Sequence, residues 1–448
     1  MNFFLSVFTG LYLMSSPAVK SPERNPMDGK IDVISYHISI AVNEQDSSIT
    51  GNTVIDFKTL EKTKILRLNL TGMSVDSCLI NGQRIREGYS NGIITLKSPV
   101  VLMPGTVNNI SVAYHGRPTD GLFIGRNKYN EFCVFSDNWP DRARHWLPCI
   151  DYPSDKAIVS FSITAPASYK VIANGKLNGN TGSSGGNRTW QYECKVPIPT
   201  YCIAIGITRF AITSTETANG IPVYYYNYAP DSLTAVHGFS RVPDMVAFYD
   251  SLIGPYPFSK LALVESSTIF GGMENSSAIF LPEYGPSYTG VSDNEETVAH
   301  EIAHQWFGDD VTEKEFSDLW LSEGFATYFS ILYFEFRDGK DKKAELLSDT
   351  KQRYLKRSSN KFPVILKKYK DPMELLTTEN YEKCALFLDA LRNKVGDDNW
   401  FKGIRVYYDK FKHGNVSTSD FRNVMESVTG MDLNSFFQQW LNKPGLPE

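Results

Sequence analysis

Two histidines four residues apart, His300 and His304, sit inside the run Val298-Ala299-His300-Glu301-Ile302-Ala303-His304-Gln305-Trp306-Phe307-Gly308. Glu323 follows nineteen residues after His304, within Leu321-Ser322-Glu323-Gly324. On a helix, residues four apart lie one above the other on the same face. His300 and His304 can therefore aim both imidazoles at one metal ion. Glu301 is their neighbour on the helical wheel, placed to reach a water beside the ion without binding the ion itself. Ser292, Asp293, Glu295 and Glu296 supply a helix N-terminus and Gly308 a stop, and a second helical pattern carrying Glu323 begins near Ser317. Two His, one carboxylate and a fourth position left to water make the usual catalytic zinc site, and His-Glu-x-x-His is a metalloprotease signature.

The length of 448 residues suggests two or three domains with ample chain for buried cores. A net charge of -5 with no basic cluster gives no reason to expect nucleic acid. None of the six cysteines forms a Cys-x-x-Cys pair, which argues against a thiolate zinc site and leaves disulfides open. The apolar run Asn2–Met14, followed by Ser15-Ser16-Pro17-Ala18, reads as a cleaved export signal over residues 1–18. It implies a periplasmic or secreted protein; without cleavage the protein is expected in the cytoplasm. The run is too short for a membrane span.

Residues 27–213 read as an all-β domain. Ile34-Ser35-Tyr36-His37-Ile38-Ser39-Ile40 alternates with the period of a half-buried strand. Asn81-Gly82, Asn91-Gly92 and Pro104-Gly105 mark chain reversals, and the Gly/Ser-rich stretch Thr181–Asn187 reads as a hairpin loop. The pattern changes over 214–448. After a last β-like stretch, Ile221-Pro222-Val223-Tyr224-Tyr225-Tyr226, helical periodicity takes over near Ser240 and continues through about 343–357, 379–395, 397–411 and 432–442. The fold class expected is α+β in two domains, an N-terminal antiparallel β domain followed by a mainly helical one.

With these residues in view, the sequence resembles the M1, or gluzincin, family of zinc aminopeptidases. That family's pattern is His-Glu-x-x-His, eighteen residues, then Glu, and here it continues with Trp320-Leu321-Ser322-Glu323-Gly324-Phe325-Ala326. A second mark is Gly271-Gly272-Met273-Glu274-Asn275, a variant that also resembles the branch containing leukotriene A4 hydrolase and aminopeptidase B. A third is Arg144–Ala157, which ends in Pro153-Ser154-Asp155-Lys156-Ala157. The resemblance implies a thermolysin-like catalytic domain over 214–448 and one zinc ion on His300, His304 and Glu323.

The same resemblance implies Glu301 as general base and then general acid. Tyr381 would be the donor to the oxyanion, with Cys384 where the family usually has Gly. Glu274 would bind the substrate's free amino group, Gly271, Gly272 and Asn275 would shape the segment along which the peptide lies, and Met273 would contribute to the pocket for the first side chain. The family usually carries Gln or Glu at the position occupied here by Trp139, so Asp137 or Asn138 is the candidate replacement, or Trp139 is a core or cleft-wall aromatic. His37, His115, His145, His237 and His413 lack metal spacing and read as surface or packing residues. Gly324 reads as a close approach to the metal helix. Longer members continue past a stretch like Lys443–Glu448 into further domains, so the cleft is expected to be more open here. The implied substrates are peptides with a free N-terminus. A thermolysin-type endopeptidase, an epoxide hydrolase-like activity and a non-catalytic scaffold of the same fold remain as alternatives; oligomeric state is not written in the sequence.

Overall fold

Residue alternation builds the first half of the chain, as seen in a computed structural model that describes residues 29–182, 184–285 and 294–447. The expected export signal, together with Ser292 and Asp293, lies outside the described residues. Strand Ile31–Asn43 buries Tyr36, Ile38 and Ile40 on one face, as its period of two requires. Ile34 does not join them: a bulge between Val33 and Ser35 shifts the phase and leaves Ile34 exposed. This strand pairs antiparallel with Ser48–Thr59 and parallel with Lys156–Pro166, at the centre of an eight-stranded sheet. That one parallel pairing departs from a purely antiparallel domain. Asn81-Gly82 and Asn91-Gly92 both hold positive φ (49° and 76°, 52° and 73°) in two-residue turns, the geometry for which Asn-Gly is favoured. A four-stranded sheet, Lys170–Ala173, Ile205–Thr208, Phe132–Ser136 and Leu122–Arg126, completes this half towards the cleft.

The expected boundary at 213/214 falls inside strand Phe210–Glu216. This strand pairs with Pro222–Tyr228, which runs on into the parallel strands Leu261–Ser266 and Ala278–Pro282. The change of sheet therefore comes at residue 209, because Phe210 packs its ring on Tyr226 and Tyr228 of the second half.

Nine α-helices follow: α1 (Ser232–Gly238), α2 (Val242–Leu252), α3 (Glu295–His304), α4 (Trp320–Asp338), α5 (Lys340–Arg357), α6 (Cys384–Val395), α7 (Asp397–Phe411), α8 (Thr418–Thr429) and α9 (Asn434–Leu441) among the described residues. α3 ends at His304, and Gly308, at φ +119°, lies in the turn beyond it. α4 is buried nearly all round from Trp320 to Phe334, as befits a helix with apolar residues on every face. Phe307 beyond α3 stacks between Phe325 and Phe329 of α4, with ring centroids 4.7 and 4.8 Å away. Each such buried ring contributes about 2–3 kcal/mol by removal from water. This packing fixes α3 against α4 and so sets where His300, His304 and Glu323 meet. All six cysteines are free and buried. No helix among the described residues is long and apolar enough to cross a membrane.

Candidate active site

His300 and His304 face Glu323 across the contact between α3 and α4. The three donor atoms form a small triangle: His300 Nε2 to His304 Nε2 is 2.9 Å, His300 Nε2 to Glu323 Oε2 is 3.2 Å, and His304 Nε2 to Glu323 Oε2 is 3.3 Å. They are the one group of potential metal donors of this kind among the described residues. A tetrahedral zinc ion at about 2.0–2.1 Å from each ligand would set such edges near about 3.3 Å. His304 Nδ1 lies 3.1 Å from the Phe307 carbonyl oxygen, which can accept its N–H and leave the Nε2 lone pair facing the other donors. Two imidazole nitrogens and a carboxylate converging without a cation would be repulsive or would capture protons, so the donor set fits one zinc ion. In the metal-free protein Glu323 stays well below the usual carboxylate range despite burial, because both imidazoles face it. Burial alone would lower His304, but Glu323 draws a proton onto it and raises it to about 10, while burial pushes His300 down.

Glu301 is buried next to this triangle. Burial and the charges of Glu274, Glu323 and Asp309 push its carboxyl well above the ordinary value, against the opposing effect of His304. Its space is made by Gly272, since a Cβ there would collide with the Glu301 carboxyl group. Gly272 was expected only to clear a path for the peptide. Gly271, by contrast, faces open space.

The segment bearing Glu274 is held as a short strand edge. Met273 N–H donates to Phe280 O and Phe280 N–H to Met273 O, each at 2.8 Å. Met273 is 2% exposed, so its side chain packs inward from the segment. Glu274 is buried, and burial together with Glu323 pushes it up to about 7, with His304 opposing. Asn275 is fully buried, and neither side-chain polar atom has a protein partner. The residue that ties this segment to α3 is Gln305, whose Nε2 donates to Glu274 O at 2.7 Å and whose Oε1 accepts from Ser277 N–H at 2.7 Å. Gln305 was not singled out from the sequence; its only signal there was its place beside a metal donor.

Tyr381 lies in a π-helical turn, Glu379–Lys383, a local widening often found at functional sites. Its ring stacks on His300, with centroids 6.1 Å apart and planes at 12°. Burial and the neighbouring Glu323 carboxylate raise its pKa well above the ordinary value, so its hydroxyl keeps its proton. Gly324 faces this turn and not the metal helix as expected: a Cβ on Gly324 would collide with that of Cys384 and lie 3.2 Å from Asn380 O. Cys384 fits beside α4 because Gly324 has no side chain.

Trp139 is 3% exposed and packs edge-on against Phe270 and Phe316, inside the hydrophobic core. Asp137 and Asn138 are committed elsewhere. Asp137 accepts from Arg142 at 2.6 Å and from Thr268 and Ile269, and Asn138 bonds Ile203 O and the Trp146 indole. His37, His115 and His413 pair with Asp56, Asp76 and Asp310, away from the triangle.

Residues 240–440 match the Peptidase family M1 domain, and residues 33–202 match the Peptidase M1 N-terminal domain. The leucyl aminopeptidase of Saccharolobus solfataricus is 27% identical over 435 residues, 93% of this chain and 54% of that protein. Aminopeptidase 2 of Candida albicans is 24% identical over 464 residues, 98% of this chain and 50% of that protein. The chain thus spans about half the length of the curated relatives it matches. The crystal structure of an M1 zinc metallopeptidase from Deinococcus radiodurans superimposes with a TM-score of 0.83 at 25% identity, covering 94% of this chain and 95% of that one. A mutant of that protein bound to a Tyr-Ser-Ala substrate superimposes with a TM-score of 0.84 at 24% identity, covering 94% and 96%.

Proposed function

The chain belongs to peptidase family M1, and on that premise we propose that it is a zinc aminopeptidase releasing single residues from the N-terminus of peptides. The observation that carries this is the pairing of a three-donor metal site with a buried carboxylate, Glu274, on a segment clamped to the metal helix. His300, His304 and Glu323 would hold the zinc ion. When bound, zinc lowers the pKa of a water towards about 7 and polarises the scissile carbonyl.

The protein's own groups do the rest. Glu301 takes the proton of the attacking water on a carboxylate oxygen and returns it to the departing amine. The position of Glu301 is fixed by the Gly272 backbone against which it rests. Tyr381 keeps its hydroxyl proton and donates it as a hydrogen bond to the carbonyl oxygen as charge develops there. Glu274 accepts the substrate ammonium in a charge-assisted contact, and the scissile bond then falls one residue away.

An endopeptidase would use the same metal donors and Glu301 but would have no need of a buried carboxylate beside them. A reporter amide of a free amino acid and its N-acetylated form separate the two. The free form is expected to be cleaved at least about a hundredfold faster, the scale at which loss of one oriented contact is felt. Equal cleavage of both would replace the aminopeptidase assignment with an endopeptidase one; cleavage of neither by the zinc-loaded protein would end it.

A further inference from the structure

Gln305 is completely buried and its amide is bonded on both sides. Nε2 donates to Glu274 O at 2.7 Å and to Asp309 Oδ2 at 2.8 Å; Oε1 accepts from Ser277 N–H at 2.7 Å and lies 3.2 Å from the Tyr256 hydroxyl, whose single proton is shared with Lys260 O at 3.0 Å. A planar amide with both donors and an acceptor engaged has no freedom to turn. Its two backbone bonds grip the segment Glu274–Ser277 at both ends, and it directly follows the metal donor His304.

Asp309, which fixes the donor side of that amide, is itself held from the β domain. Its Oδ1 accepts from the Cys202 thiol at 3.1 Å. The turn around it is anchored by Tyr201, whose hydroxyl donates to Gly308 O at 3.0 Å. Lys156, buried in the Pro-Ser-Asp-Lys-Ala stretch, donates to the carbonyl oxygens of Asp309 at 2.9 Å and Asp310 at 2.6 Å. Three β-domain side chains thus meet the turn that follows α3, and one side chain carries that restraint on to Glu274.

A substrate must place its ammonium at Glu274 and its first carbonyl between Glu301 and the metal donors. The span between those two points decides which peptide bond is cut, and a displacement near 1 Å costs about a hundredfold in rate. We infer that Gln305 is a positioning residue that sets this span: it touches no substrate, and acts by holding the Glu274 segment at a fixed distance from His304. The inference rests on the aminopeptidase assignment of Glu274.

A residue needed only for folding would lower the amount of active protein and leave recognition of the amino group unchanged. The test is Gln305→Met, which keeps length and removes every polar atom. It is read by zinc content, by kcat and KM on a free aminoacyl reporter, and by binding of an amino-acid hydroxamate and its N-acetylated twin. The wild-type preference for the free hydroxamate is expected to fall about tenfold in Gln305→Met, as expected for losing the two hydrogen bonds of ordinary strength that hold the Glu274–Ser277 segment. KM for the free reporter rises by a similar factor, kcat changes less, and zinc stays at the wild-type level. An unchanged preference between the two hydroxamates overturns the inference, whatever happens to the overall rate. Should Gln305→Met fail to fold, Asp309→Asn leaves Gln305 in place and exchanges a carboxyl oxygen for an NH2 group, so that Gln305 and Cys202 no longer both find an acceptor there. It is expected to lower the preference about threefold, in line with weakening one hydrogen bond of ordinary strength, and an unchanged preference in that folded variant is equally fatal. Wild-type protein that binds both hydroxamates alike would instead remove the assignment of Glu274, a separate outcome.

Discussion

The wall that carries the metal donors is built from two consecutive helices with Phe307 packed between them, whereas the opposite wall is assembled from residues near 202 and 266–277 and from Gln305 and Asp309, which follow the metal helix. On the first wall, two consecutive helices and one aromatic contact, Phe307 between Phe325 and Phe329, bring the donors together. On the second, the Glu274 segment owes its place to Gln305, to Asp309, and through Asp309 to Cys202 of the β domain. The difference separates chemistry from measurement. Hydrolysis needs three donors and a base at short sequence distance, while cutting only the first bond needs a span set by residues far apart in the chain.

If that division is right, the largest single effect belongs to the metal wall and leaves the other wall intact. Glu301→Gln keeps the size of the side chain and removes its ability to accept a proton. Its kcat is expected to fall about 10²–10⁴-fold, the usual range for general acid–base catalysis. Zinc content and the preference for a free over an N-acetylated hydroxamate should match wild type. A variant that lost the preference along with kcat would show that the two walls are not separable.

Gly272 is where the walls touch, so a substitution there is expected to disturb both. An added Cβ would strike the Glu301 carboxyl group. Either Glu301 must swing away from the water or the Glu274 segment must back off. Gly272→Ala is therefore expected to lower kcat about 10–100-fold and to raise KM, an effect of the size that a displacement near 1 Å produces. Gly271→Ala is the control, because a Cβ there meets nothing within 4 Å in the protein. Loss of activity in Gly271→Ala alone would report on the path of the bound peptide and not on Glu301.

The metal wall was legible in the sequence because helical geometry converts a spacing of four into a shared face and the next helix supplies the third donor. The Asn-Gly turns were legible for a similar reason, since two residues fix their own backbone. The cap of α8, in which Ser417 and Asp420 bond each other's backbone as a capping box, is equally local but is seen only in the structure. What escaped the sequence depends on contacts through space. Ile34 follows the alternation of its strand yet faces solvent, because the bulge between Val33 and Ser35 resets the phase there. Gly324 could be recognised as a close approach, but its neighbour is Cys384, sixty residues away, and not α3. Gln305 has no spacing rule at all: its partners at 256, 274, 277 and 309 are set by the fold. The stretch 210–213 reads in sequence as the end of the β domain, and only the pairing of Phe210 with Tyr228 assigns it to the second sheet.

The smallest expected effect tests how far the second wall depends on the contact between domains. Lys128, from the β domain, reaches Asp231 Oδ2 and Glu265 Oε1 at 2.8 Å each and Glu283 O at 2.6 Å. Glu265 lies one residue before the end of the strand that leads into the Glu274 segment. It is fully buried, and burial together with its hydrogen bond to Asp231 pushes its carboxyl up to about 8, against Lys128 and the Tyr228 N–H. In the unfolded chain it titrates near its ordinary value of about 4.3. Between those values the folded protein holds a proton that the unfolded chain has released, so raising the pH from about 4.5 to 8 must cost stability, and lowering it restores stability. Asp231, Glu283, Tyr129 and Tyr228 face the same cluster, and other buried carboxyls such as Glu313 titrate in the same window. The informative quantity is therefore the difference between wild type and Glu265→Gln, which cannot release a proton. With zinc in excess, the wild-type Tm is expected to fall more than the variant's between pH 5 and 8.5. Parallel melting curves would place the proton elsewhere, and would mean that the second wall is held by Gln305 and Asp309 without help from the Lys128 cluster.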